Sequence, residues 1–149
     1  MTAPDSDDRT GAGSVSGAGG ISRINPPELA RPSGFSHAVV ASGRTVYLAG
    51  QTALDSSGAV VGGGIVGQFE QALGNLLVAL AAAGGTPDRL VKLTIYIVDM
   101  DDYRDHAKEI GTVWRRLVGR TYPATAGIGV SRLWDPTALV ELEAVAVLP

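Results

Sequence analysis

The chain has 149 residues, which is enough for one domain with a sizeable core. Hydrophobic residues make up 45% of it, charged residues only 18%, and the formal net charge is −3. These values argue against nucleic-acid binding, which needs a clustered basic patch, and they suggest that self-association hides some apolar surface. Because cysteine is absent, disulfides, thiol nucleophiles and thiolate metal sites are excluded.

The first 20 residues are mainly Gly, Ser, Ala and Asp, with almost nothing to bury. Such a composition predicts a disordered tail at 1–20, followed by a single domain at 21–149. The start of the chain lacks a charged region followed by an apolar stretch. The longest apolar run, in "LLVALAAAGG", is far too short to span a bilayer. We therefore expect a soluble, cytoplasmic protein with no membrane partner.

Two short β-rich runs open the folded part, "HAVVAS" (37–42) and "RTVYLAGQ" (44–51). They meet at Ser42-Gly43, which is typical of a hairpin. A helix is predicted over 64–85, where Gly84-Gly85 ends it. The apolar stripe of this helix consists of Ile65, Phe69, Ala72, Leu73, Leu76 and Leu80. The polar residues Gln68, Gln71 and Asn75 lie off the stripe.

The stretch "RLVKLTIYIVD" (89–99) predicts an interior strand, because its second face is not very polar. A second helix follows over 99–119, where Arg115-Arg116 suit the last turn. Its apolar face carries Tyr103, Ala107, Ile110, Trp114 and Leu117, and the aspartates that can cap its start are Asp99, Asp101 and Asp102.

Two more strands, 124–133 and 138–147, flank a turn at Trp134-Asp135-Pro136. The element order ββ-α-β-α-ββ predicts an α/β (α+β) two-layer sandwich with a mixed sheet of five or six strands and two helices on one face. The other face of the sheet also carries apolar residues, so we expect a second copy of the chain to cover it.

The last strand carries two carboxylates, Glu141 and Glu143, on the face that also holds Val145 and Val147. An acid on such a face needs a wet pocket or hydrogen-bonding partners. A carboxylate in a wet pocket could orient a water or carry a proton as a general acid or base. The alternative is that both acids only bond to neighbouring strands or water.

Other chemical features are weak. His37 and His106 are isolated, and their spacing predicts no metal site. The glycines at 62–64 lack the Lys-Ser/Thr of a phosphate loop and indicate a flexible turn. Arg132, the only basic residue of the last two strands, is expected to be exposed to solvent.

Five stretches come in the order and spacing of the Rid (RidA/YjgF) family, over about 21–149. They are "GFSHAVVASGRTVYLAGQ", "QALGNLLVALAAAGG", "DRLVKLTIYIVDMDDY", "YPATAGIGV" and "LVELEAVAV". The resemblance implies a chorismate-mutase-like fold and a homotrimer with a small-molecule cleft at each subunit interface. It also implies hydrolysis of enamines or imines to a carbonyl compound and ammonia, and neither a cofactor nor a metal.

The chemistry of the family carries over only in part. Thr125 stands where deaminating members have a carboxylate-binding arginine, Ala49 replaces a hydroxyl, Ala107 an asparagine and Ser36 a tyrosine. Glu141 matches the family's water-positioning acid. The resemblance therefore implies Glu141 as the catalytic residue, and a substrate-binding set of Phe35, Ser36, Ala49, Gly50, Ala107, Tyr122, Thr125, Ala126 and Gly127.

Three functions stay open. One is a deaminase of imines that lack the usual carboxylate, since losing a bidentate arginine contact lowers the binding of carboxylate-bearing imino acids. Another is a different Glu141-dependent hydrolase or tautomerase. The third is a ligand-binding or regulatory trimer without catalysis. A ribonuclease is disfavoured, because no basic groove or histidine pair is evident.

Overall fold

The computed structural model describes residues 20–149, so the predicted tail at 1–20 lies almost wholly outside the described residues. The described residues form six strands, three α-helices and a short 3-10 turn at Pro87–Arg89. The strands and helices are β1 (Ile21–Ile24), β2 (Ala38–Ala41), β3 (Arg44–Gln51), α1 (Gly64–Ala82), β4 (Leu90–Ile97), α2 (Met100–Asp105), α3 (Ala107–Leu117), β5 (Ala124–Gly129) and β6 (Val140–Leu148).

The strands form a four-stranded sheet in the order β3-β6-β4-β5 and a two-stranded sheet of β1 and β2. Strands β4 and β5 run parallel and the other pairs antiparallel, so the predicted mixed sheet is confirmed. The predicted hairpin at Ser42-Gly43 is wrong. The sequence pattern had missed β1, which is the partner of β2, whereas β3 pairs with β6.

Helix α1 packs its predicted apolar stripe against the sheet. The interpretation of Gln68 was wrong, because this residue is also buried and only 5% exposed. Its side-chain amide donates to the Thr137 carbonyl at 3.1 Å and accepts from the Leu139 amide at 2.8 Å. Gln68 thereby ties α1 to the segment that leads into β6, and its polarity is satisfied inside the core.

Helix α1 is also, by length and composition, apolar enough to cross a membrane, with a mean hydropathy of 1.3 over an 18-residue window. The apolar run that the sequence shows is short, but the whole helix over Gly64–Ala82 is long enough by this criterion. Core helices of α+β domains share this length and composition. The contacts of α1 with the sheet are those of a core helix.

The predicted second helix is two helices, which meet at His106. Asp99 caps α2, and its carboxylate accepts from the Asp102 amide at 3.0 Å, as expected for an aspartate at a helix start. At the break, the His106 ring lies within hydrogen-bonding distance of the Asp102 carbonyl, at 2.9 Å. The break turns α3 so that Ile110, Val113 and Trp114 are buried.

The four-stranded sheet has two different faces. The helix face, which carries Leu93, Ile95, Leu142 and Ala144, is buried beneath the helices. Residues that alternate with these point the other way, and we call that side the open face. Register places on it Tyr47, Tyr96, Glu141, Glu143, Val145 and Ile128. Tyr47 is 81% exposed there, so a large ring faces away from the core.

Candidate functional site

The acid at 141 occupies a specific place on the open face. Pairing of β3 with β6 shifts by one residue between Leu48 and Gln51, so Ala49 and Gly50 form a bulge. Bulges occur often beside functional sites, where they redirect the chain. Here the bulge brings the backbone of Gly50 under the side chain of Glu141. We call Glu141, Ala49 and Gly50 the acid half.

The orientation of the Glu141 carboxylate depends on the lack of a side chain at position 50. A Cβ atom placed on Gly50 would overlap the Glu141 carboxylate, so the absence of a side chain makes room for the acid. Glu141 itself is half-buried, while Ala49 and Gly50 are exposed. The acid is thus accessible from solvent on the open face and positioned by the neighbouring strand.

The second acid, Glu143, has a structural partner. Its carboxylate accepts a hydrogen bond from the Tyr96 hydroxyl at 2.6 Å, across β6 and β4. This bond is the main cause of a raised pKa for the Tyr96 phenol, and burial and the negative charges of Glu143 and Glu141 act in the same direction. Glu143 is therefore engaged within the sheet, which matches the alternative of bonding to a neighbouring strand.

A cleft of about 680 Å³ lies on the other side of the sheet, between β4–β5, the α2–α3 pair and the segment before β2. We call it the helix-face cleft. Five of the predicted substrate-binding residues line it, together with several residues that the sequence did not indicate. The predicted residues are Phe35, Ala107, Tyr122, Thr125 and Gly127, and the additional ones include Phe69, Tyr103, Lys108, Gly111, Trp114 and Arg115.

The position of the family arginine holds a small, engaged side chain. The hydroxyl of Thr125 donates to the Pro123 carbonyl at 3.0 Å, so its proton is committed to the backbone. Ala107 and Gly127 likewise contribute no polar side-chain atom to the cleft. Carboxylate binding at this wall would therefore lack a cation.

One wall of the cleft is held firmly. The ring of Tyr122 stacks on Trp114, with centroids 6.1 Å apart and an interplanar angle of 15°. The Tyr122 carbonyl accepts from the Ser36 hydroxyl at 2.7 Å and from the Arg23 guanidinium at 3.2 Å. The Trp114 indole donates to the Thr121 carbonyl at 3.2 Å. These bonds fix the aromatic wall before any ligand binds.

Several residues lie elsewhere than in this cleft. Ser36 is buried and uses its hydroxyl on the backbone, and Ala126 is on the open face opposite Thr94. Arg132 is exposed after β5, as expected. Trp134, an aromatic that could have lined the pocket, is 96% exposed in the loop before β6.

The sequence could have suggested Trp114 and Tyr103 as cleft residues, since they share the predicted helical face with Ala107. Lys108 and Arg115 gave no such signal. They are exposed residues beside that face, and only the position of α3 over β5 shows that they border the cleft.

The two histidines have local partners. The His37 ring lies 2.7 Å from the Ala30 carbonyl, and His106 contacts Asp102. Within residues 20–149, no group of three His, Asp or Glu side chains is placed to hold a metal ion.

The acid half and the helix-face cleft lie on opposite faces of one sheet. The Glu141 side chain points away from Thr125, because Tyr96, its partner in β4, alternates with the cleft residues Leu93 and Ile95. A single copy of the chain therefore brings the predicted catalytic acid to Ala49 and Gly50, but not to the five predicted substrate-binding residues that line the cleft.

Comparison with known proteins assigns the chain to a family. The sequence model described as endoribonuclease L-PSP matches residues 27–148. A mouse protein named 2-iminobutanoate/2-iminopropanoate deaminase is 37% identical over 128 residues, which are 85% of this chain and 89% of the mouse protein. A RutC family protein of Pyrococcus horikoshii is 32% identical over 117 residues, 78% of this chain and 89% of that relative. The chain belongs to the Rid family.

Solved structures agree with this assignment. A Rid family protein of Yersinia pestis matches with a TM-score of 0.78 and 38% identity, over 87% of this chain and 99% of that one. A Mycobacterium tuberculosis member of the YjgF family matches with a TM-score of 0.59 and 30% identity, over 86% of this chain and 99% of that one. The predicted Rid fold is therefore confirmed.

Proposed function

We propose that the chain is a Rid-type enzyme that hydrolyses imines or enamines, and that its substrates are not the usual small imino acids. The relatives named as 2-iminobutanoate/2-iminopropanoate deaminases support the reaction class. The uncharged wall around Thr125 supports the altered specificity. Glu141, seated over Gly50, is the single observation that carries the catalytic part of the proposal.

The site would be completed between subunits. We propose a homotrimer in which the acid half of one copy faces the helix-face cleft of the next, because the two halves lie on opposite faces of each sheet. The exposed Tyr47 and the half-buried Val145 on the open face support a contact that removes apolar surface from water. Light scattering should give about three times the chain mass of 15.3 kDa, and a stable monomer would contradict the assembly.

The proposed reaction adds water to a C=N bond. The Glu141 carboxylate takes a proton from a water that attacks the imine carbon, and the imine nitrogen gains a proton. Glu141 passes the first proton to the imine nitrogen, which gives the carbinolamine. Glu141 then takes the proton of the carbinolamine hydroxyl and passes it to the amino group, which leaves as ammonia while the C=O bond forms. The acid starts and ends each cycle deprotonated, so no cofactor is required for the balance.

A direct assay tests this proposal. Imines generated from several amino acids and from neutral amines should be hydrolysed by the wild type, with those that carry a large apolar group preferred over 2-iminopropanoate and 2-iminobutanoate. Glu141→Gln keeps the size of the side chain and removes the base, so kcat/KM should fall at least about 100-fold. Unchanged turnover in Glu141→Gln would reject Glu141 as the catalytic residue.

Two other functions remain as alternatives. A ligand-binding or regulatory trimer without catalysis would bind the same compounds and show no turnover that depends on Glu141. A different hydrolase or tautomerase would depend on Glu141 but release no ammonia. A cytoplasmic location stays a prediction from the sequence.

A further inference from the structure

We propose that the helix-face cleft binds ligands with a flat apolar body and a single anionic group, and that Arg115 and Lys108 of α3 bind the anion. The inference rests on the proposed function in taking this cleft as the substrate site. It assigns the cation to the helix wall of the cleft instead of the strand wall, where Thr125 stands.

The two cations border the same cleft as Thr125 and are free to bind a ligand. The Arg115 guanidinium donates to the Thr112 hydroxyl at 3.2 Å, which leaves most of its five donors available. No carboxylate of residues 20–149 forms an ion pair with Arg115 or Lys108. The next residue, Arg116, differs, because it pairs with Glu70 at 2.6 Å.

Small residues make room for a ligand body between the helix and the strand. Ala107 and Gly111 are four apart on α3 and therefore lie on one side of it, and Gly127 faces them from β5. A Cβ atom on Gly111 would come 3.5 Å from the Arg115 guanidinium, so the arginine lies along this glycine. The apolar space and the cation are thus adjacent.

The aromatic wall favours a flat ligand. Phe35, Trp114 and Tyr122 present rings to the cleft, and the near-parallel stack of Trp114 on Tyr122 is already formed. A planar ring packs on such faces with additional attraction beyond the apolar area that it buries. A four-carbon imino acid has no such ring, and its carboxylate would find no cation beside Thr125.

Binding of stable oxo acids tests the inference without turnover. The probes are phenylpyruvate, 2-oxobutanoate and the neutral ketone phenylacetone, measured by calorimetry on wild type, Arg115→Gln and the matched control Arg116→Gln. We expect wild type to bind phenylpyruvate about tenfold more tightly than either other probe. Arg115→Gln should lose about that factor for phenylpyruvate alone, and Arg116→Gln should behave as wild type.

Two results would overturn the inference. One is an equal effect of Arg115→Gln and Arg116→Gln on phenylpyruvate, and the other is 2-oxobutanoate binding as tightly as phenylpyruvate. Either result, alongside normal hydrolysis of neutral imines, would refute the anion site and leave the proposed function standing. Binding that depends on Arg115, without hydrolysis that depends on Glu141, would support the anion site and refute the proposed function.

Discussion

The two faces of the sheet carry the two halves of the candidate site and retain different amounts of the Rid pattern. On the open face, the acid is present and the bulge at Ala49–Gly50 makes space for it. On the helix face, Thr125 replaces the arginine, and the cleft is lined by rings and small residues. The difference indicates that the position of the acid depends on the backbone of β3. Ligand specificity, in contrast, depends on side chains of β5 and α3, which can be substituted without changing the backbone.

The largest effect is expected at position 50. In Gly50→Ala, the new methyl group would displace the Glu141 carboxylate, which is the mobile end of a side chain, and the fold should survive. We expect kcat/KM on a hydrolysed imine to fall about 100-fold, close to the loss in Glu141→Gln. Thermal unfolding should shift little.

Gly74→Ala is the matched control, since a Cβ atom on this α1 residue would meet open space. It should leave turnover unchanged and slightly stabilise the helix. Wild-type turnover in Gly50→Ala would show that the acid needs no glycine beneath it. The position of Glu141 would then not depend on the backbone of β3.

A second test removes the hydrogen bonds of Gln68, which join α1 to the segment before β6. Gln68→Met should lower the free energy of unfolding by about 2 kcal/mol, because the Leu139 amide and the Thr137 carbonyl lose their partner. Gln71→Met, at a less buried amide that bonds to Leu54, should cost less than about 1 kcal/mol. Denaturant unfolding at one protein concentration measures both, and equal losses would contradict the role of Gln68.

Much of the fold could be predicted, because it follows from periodic patterns. The stripe of α1, the strand β4 and the alternation in β6 were all correct. What failed depends on tertiary contacts. Gln68 is polar yet buried, since its two partners come from a loop about 70 residues away in sequence. The four-residue strand β1 is too short to show a pattern, so it was not predicted. Without β1 as the partner of β2, the sequence wrongly predicted a hairpin of β2 with β3.

The site was predictable only residue by residue. Resemblance indicated Thr125, Tyr122 and Glu141, but the strand faces decide which of them share a surface. Alternation within β6 did indicate that Glu141 and Glu143 share a face. The hydrogen bond that distinguishes them needs Tyr96 from β4, and pairing register cannot be read from either strand alone.

A third prediction restores the missing cation. Thr125→Arg should improve kcat/KM on 2-iminobutanoate-like acids about tenfold, because a guanidinium can bind the carboxylate through two hydrogen bonds. The gain should be partial, since Ala49 and Ala107 still lack polar groups that orient the substrate. Thr125→Gln controls for size without charge. High wild-type turnover of these acids would show that another residue already binds the carboxylate.

The smallest effect separates the phenols of the two faces. Burial raises the pKa of Tyr103, on the helix side, to about 12, whereas the pKa of Tyr96 is raised chiefly by its bond to Glu143. Glu143→Gln should therefore lower the pKa of Tyr96 and leave that of Tyr103 at about 12. Because both pKa values are raised in the folded state, the stability they contribute is present at neutral pH and is lost as the pH rises through them.

Ultraviolet absorbance of phenolate formation follows these titrations. Tyr96→Phe identifies the transition that belongs to Tyr96 and Tyr103→Phe the other. An identical titration of Tyr96 in wild type and Glu143→Gln would mean that the bond across β4 and β6 does not set its proton affinity.

The central claim is that the acid half of one copy meets the helix-face cleft of another. Because the chain has no cysteine, two substitutions give a clean test: Glu141→Cys and Thr125→Cys, made singly and together and treated with a short bis-maleimide. The account predicts that the double variant gives covalent dimers and trimers. A mixture of the two single variants should give only the covalent dimer. Neither single variant should cross-link by itself. A double variant that stays at the mass of one chain, 15.3 kDa, would contradict the claim.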